Sequence, residues 1–146
     1  MPGLRFAETM SGTLEPIDDP GQRHPFRFDV RVRARSLLRH LRDGRAALEG
    51  TVHAPPIAER APLTGEITIR PVGAKLIRYE FEFAGDDGKR YAFAGQKDIA
   101  YSDLIRSWTT LPGEIRDADG RIVATCETRF DLRGDGLKFF ASFRPW

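Results

Sequence analysis

The 146-residue chain predicts an all-β fold: an antiparallel up-and-down barrel of about eight or nine strands with one or two short helices. Three observations predict it. Apolar and charged residues alternate with period two in one stretch after another, the mark of strands buried on one face only. Asp-Gly pairs at 87–88, 119–120 and 135–136 break these stretches at hairpin spacing. Nearly every strand offers one apolar and one charged face, and a closed sheet gathers such faces into a shared interior while leaving few open edges. A two-sheet sandwich carries a similar signature and is the competing architecture.

The elements follow in order. Residues 4–14 form a first strand, and residues 15–25, rich in Asp, Pro and Gly, a polar loop. Phe26, Phe28, Val30 and Val32 then alternate with Arg27, Asp29, Arg31 and Arg33, a second half-buried strand. Ser36 is placed to cap a short helix carrying Leu37, Leu38 and Leu41, with Gly44 to end it. Residues 46–52 return to strand. His53 to Pro62 reads as a loop stiffened by three prolines. Leu63, Gly65, Ile67 and Ile69 supply the next inward set.

The clearest hairpin follows. A two-residue loop at Asp87-Gly88 would set Glu82 against Phe93 and mix the faces. A three-residue loop of Asp86, Asp87 and Gly88 sets Phe83 on Tyr91 and Phe81 on Phe93, with Gly88 free to take positive φ. A helical turn is expected within residues 98–111, around Ser102 to Trp108. A two-residue turn at Asp119-Gly120 places Ile115 opposite Ala124 and Gly113 opposite Cys126. A further turn at Asp135-Gly136 would set Thr128 and Cys126 opposite Phe143 and Pro145.

Composition bounds the function classes. The length suits one domain, residues 1–146, with a real core. A net charge of +2 gives no strong field for polyanions, so nucleic acid is not expected as a partner. Arg27, Arg31, Arg33 and Arg35 do share a strand face, but the aromatics that would stack bases lie on the other face. One cysteine rules out an internal disulfide framework. The first residues lack a signal-peptide layout and no apolar run suits a membrane span, so a cytoplasmic protein is the expectation.

Chemistry is thinly written. His24, His40 and His53 do not fall at metal-ligand spacing, and no metal or cofactor is called for. His53, beside the proline loop, is the histidine best placed for a barrel mouth. Glu8 and Thr9 could project into one end, where burial would raise a carboxylate's pKa. Cys126 has no basic neighbour on its own face and reads as an inert buried thiol.

The segments FAETMSGTL, LTGEITI, LIRYEFEFAGDDGKRYAFAGQKDI and SWTTLPGEIRDADGRIVATCETRFDLRG resemble a bacterial calycin-type, lipocalin-like domain. Such domains occur fused or adjacent to cholesterol-oxidase-like enzymes of the glucose-methanol-choline oxidoreductase family. The Arg78-Tyr79 pair, the hairpin ending in Gly95-Gln96-Lys97 and the Thr109-Thr110-Leu111 after Trp108 carry most of the likeness. The resemblance implies binding of a lipid or another apolar molecule, or support of an oxidoreductase partner. The chain departs from the fused arrangement in having no GxGxxG and no flavin domain.

The inward sets define a candidate ligand chamber. Phe28 and Val30 would line it from one strand, Ile67 and Ile69 from another, and Tyr79 and Phe81 from the opening arm of the hairpin. Tyr91 and Phe93 face them from its return arm, with Cys126 and Phe139 beyond. Eight strands sit at the size where an interior is either filled by side chains or holds one small ligand. Gly65 and Gly95 leave space on inward positions, or mark bends of the sheet. The leading functional expectation is a noncatalytic binding or accessory barrel for a lipid-like or sterol-like molecule. The alternatives are a small barrel enzyme of isomerase or cyclase type acting through Tyr79, Tyr91 or Glu8, and an interaction partner of a larger enzyme.

Overall fold

The computed structural model describes residues 4–34, 45–70, 76–98 and 110–129. They form eight strands: β1 (Leu4–Pro16), β2 (His24–Ala34), β3 (Arg45–Ala54), β4 (Ala58–Arg70), β5 (Leu76–Ala84), β6 (Arg90–Asp98), β7 (Thr110–Asp117) and β8 (Ile122–Arg129). Each pairs antiparallel with the next, and β8 returns to β1, closing the barrel and deciding against the sandwich. The segment 36–44 and the turn expected around Ser102 to Trp108 lie outside the described residues, as do the turn at 135–136 and Phe139; Asp98 ends β6, and Thr110 and Leu111 open β7.

Alternation explains the closure. Along β5, Ile77, Tyr79, Phe81 and Phe83 are buried while Arg78, Glu80 and Glu82 look outward. The other strands repeat the pattern, so a single closed sheet collects all the apolar faces. Each buried Phe or Leu contributes about 1.5–3 kcal/mol relative to exposure. The outer wall is laced with ion pairs, among them Arg27–Asp29 at 3.1 Å, Arg116–Glu114 at 2.6 Å and the cross-strand Arg90–Glu82 at 3.2 Å. Charge outside and hydrocarbon inside is the inverse of a lipid-facing barrel. Among the described residues, no helix is long and apolar enough to cross a membrane.

The β5–β6 hairpin takes the three-residue form. Phe83 pairs with Tyr91 and Phe81 with Phe93, the Gly85 amide donates to the Lys89 carbonyl, and Gly88 sits at φ +79°. The β7–β8 hairpin reaches its expected register by another route. Asp117 N–H donates to the Arg121 carbonyl, so the loop is Ala118, Asp119 and Gly120 rather than two residues. A bulge beside Ile115 then restores Ile115 opposite Ala124 and Gly113 opposite Cys126.

One expectation is corrected. The proline-rich segment is a short turn, residues 55–57, and β4 already begins at Ala58. Pro62 fits because the β4–β5 ladder starts only at Leu63, so Pro62 interrupts no pairing with β5. Phe143 and Pro145, expected opposite Thr128 and Cys126, lie outside the described residues. Both flanks of β8 are taken, by Gly113 and Leu111 of β7 on one side and by Leu14 and Gly12 of β1 on the other.

Candidate ligand-binding site

The predicted chamber residues converge, and they converge on one another. Phe81 stacks on Phe93 with ring centroids 4.8 Å apart, Phe28 meets Phe81 edge-on at 5.2 Å, and Phe28 lies 5.7 Å from Tyr79. Phe26 closes the cluster at 5.4 Å from Phe93. Phe28, Val30, Ile67, Tyr79, Phe81 and Phe93 are all at most 3% exposed. A water-sized probe therefore reaches almost none of their surface, from outside or from an enclosed space. Their rings fill this section of the barrel. Ile69 is placed by backbone register opposite Ile77.

The inward glycines do not open a void. A Cβ on Gly113 would stand 2.6 Å from Cε2 of Phe93, and one on Gly95 would stand 2.8 Å from its Cζ, so the ring occupies the space both leave. At Gly65 a Cβ would lie 1.9 Å from the Glu80 carbonyl oxygen: two backbones approach there, as at a bend.

Tyr91 behaves differently from Tyr79. Its ring is half-buried and stacks on Phe83, while its hydroxyl donates to Asp87 Oδ2 at 2.8 Å, at the end of the barrel. The hydrogen bond to Asp87, reinforced by partial burial and by the charges of Asp87 and Asp117, raises the Tyr91 pKa. Hydrogen bonds from the Lys89 amide and from Tyr91 hold the Asp87 carboxyl below its ordinary range.

Tyr91 marks the rim of an open depression of about 730 Å³. All four turns at this end contribute: Pro16, Ile17 and Asp18 before β2, Pro56 and Ile57 between β3 and β4, Asp86 and Asp87 between β5 and β6, and Asp117, Arg121, Ile122 and Val123 around the last hairpin. The turns are tied in pairs. Ile17 N–H donates to the Val123 carbonyl at 2.9 Å, and Asp86 N–H to the Ile57 carbonyl at 2.9 Å. Asp86 Oδ2 also accepts from Glu59 N–H at 3.0 Å, and Asp117 Oδ1 from the amides of Asp119 and Arg121, both at 3.0 Å. The large hydrophobics that stay exposed among the described residues, Ile17 at 51% and Ile122 at 38%, both line this depression. Singly such residues need no explanation; gathered with Ile57, Val123 and two prolines they make a contiguous apolar floor.

Of the remaining chemistry candidates, Cys126, Thr9 and His53 are structural in their placement. Burial pushes the Cys126 thiol up to about 12, far from a thiolate at neutral pH. Thr9 Oγ1 donates to Asp29 Oδ1 at 2.5 Å on the half-exposed outer wall. Burial pushes the Asp29 carboxyl up, but the hydrogen bonds from Arg27 and Thr9, with the charges of Arg27 and Arg60, outweigh it and lower the pKa. Glu8 stands opposite Val30 in the backbone register. His53 Nδ1–H donates to the Glu59 carbonyl. Among the described residues no cluster of His, Cys, Asp and Glu could hold a metal ion.

The sequence reading passed over Ile17 and Ile122. A signal was there: Ile122 and Val123 are adjacent apolar residues beside a turn, and period two can bury only one of them. No family model matches the chain, nor does any curated protein or solved structure.

Proposed function

We propose that this protein is a noncatalytic binding barrel for a hydrophobic small molecule, lipid-like in its apolar part, received at the turn end rather than in the barrel's middle. The observation that carries the reading is the meeting of Ile17 and Ile122 in one depression. At about 730 Å³ it falls within the roughly 300–1,000 Å³ of small-molecule sites. The aromatic interior then serves as a stiff base for the turns. Tyr79 packs on Phe28 and Tyr91 is held by Asp87, placements that favour structure over acid–base work. Arg27 and Arg31 are balanced by Asp29 and Glu49, which favours a solvated outer wall over a basic docking face. The calycin-type resemblance agrees with an apolar ligand, and the binding reading does not depend on an oxidoreductase partner.

Native mass spectrometry of protein purified without detergent tests this. With the neutral probe N-phenyl-1-naphthylamine, a one-to-one adduct is expected. The double variant Ile17→Asn/Ile122→Asn should weaken it about tenfold or more, the loss of about 2 kcal/mol of apolar contact, with an unchanged circular dichroism spectrum. No adduct, or one indifferent to the two substitutions, overturns the reading.

A further inference from the structure

The apolar floor of the turn-end depression is ringed mostly by negative charge. Asp18, Asp86, Asp87 and Asp117 contribute four carboxylates, against the single guanidinium of Arg121. The charge of Lys89 acts on Asp87, while the hydrogen bonds that the acids accept bring no further cation. Asp86, Asp87 and Asp117 accept from backbone amides, and Asp87 also from the Tyr91 hydroxyl. All of these donors are neutral groups, unlike the arginines that balance acids on the outer wall. Asp86 spends only Oδ2 and Asp117 only Oδ1 on these bonds, and the second oxygen of each remains able to accept. The turns that present the acids are cross-tied by backbone bonds, so little ordering is needed when a ligand arrives.

An apolar floor inside an anionic ring selects its occupant by complementarity. A fatty carboxylate or sulfate would bring its charge against four like charges, whereas an alkylammonium sets its chain on Ile17 and Ile122 and its head among the carboxylates. Resting on the turn-end site proposed above, we infer that the ligand is a small cationic amphiphile: a hydrocarbon body bearing an amine that is protonated at neutral pH.

The test is a titration of isotope-labelled protein with three chain-matched probes below their micelle concentrations: decylammonium, decanoate and 1-decanol, read on the Ile17 and Ile122 methyl signals. Decylammonium should bind about tenfold more tightly than decanoate, the advantage expected of a charge near several partly solvated carboxylates. The advantage should shrink towards unity in molar salt, an arm that needs no substitution. Asp18→Asn and Asp86→Asn, which keep an amide oxygen in place of the carboxylate, should each cut it about two- to threefold, while 1-decanol binding holds. Equal affinities for the three probes, or a preference for decanoate, would overturn the cationic inference and leave the apolar site standing. If no probe moves Ile17 or Ile122, the site and the inference fall together.

Discussion

Cys126 shows how burial decides chemistry at a single residue. Among apolar neighbours inside the wall its thiol is raised from an ordinary value of 9.0 to about 12. The folded state thus disfavours the thiolate. For a group whose folded pKa is raised, the associated stability is fully present below the unfolded value and is lost as pH climbs towards the folded one. Between about 9 and about 12 the unfolded chain should gain on the folded one. Chemical denaturation across that range should show a steeper alkaline loss for the wild type than for Cys126→Ala. Iodoacetamide at mildly alkaline pH should label Cys126 only after unfolding; rapid labelling of the folded protein would contradict a buried thiol. Tyr91 is the reverse case at the rim, where Asp87 does more than burial to hold its proton.

Among the elements, β6 and β7 meet where Phe93 overlies Gly95 and Gly113, and the ring and the two glycines act as one unit. Phe93→Ala should cost about 3–5 kcal/mol through lost contacts and the cavity left behind. Gly113→Ala should cost about 1–3 kcal/mol, because the new methyl overpacks the ring and also stands 2.9 Å from the Ala94 carbonyl oxygen. Phe93→Leu, with no atom where the ring reached, should absorb part of that methyl. In a denaturant-melt double-mutant cycle the pair should therefore lose less than the sum of its parts. Strict additivity would mean that the methyl is opposed by the Ala94 carbonyl rather than by the ring. At Gly65 no such rescue is open, since the obstruction is the Glu80 carbonyl of the neighbouring backbone.

This scale also shows what could be read in advance. Period-two alternation placed most strand cores, and the need to keep faces unmixed selected the three-residue loop at residues 86–88. The bulge at β7–β8 was not legible: a three-residue loop plus one extra residue gives the same mid-strand register as a two-residue loop. The extent of β4 was hidden by Pro62, which is tolerated because it faces Thr51 of β3 where pairing with β5 has not begun. The depression was beyond reach for a different reason. It gathers residues from four turns, and only closure of β8 on β1 brings Ile17 to the Val123 carbonyl.

Viewed whole, the molecule divides its labour by depth. The outer wall carries paired charges that contribute little each to stability, about 0–1 kcal/mol per exposed pair. The interior carries the aromatic cluster, and the turn end carries exposed hydrocarbon within an acidic ring. The central claim is that an apolar ligand meets the turns and not the packed middle. Isoleucine methyl spectra recorded while N-phenyl-1-naphthylamine is added test it most directly, because isoleucines report from both places. The account predicts that Ile17, Ile57 and Ile122 shift in step with the probe while Ile67 and Ile77 hold still. Shifts that begin at Ile67 and Ile77, with the turn-end isoleucines unmoved, would place the ligand inside the barrel and contradict it.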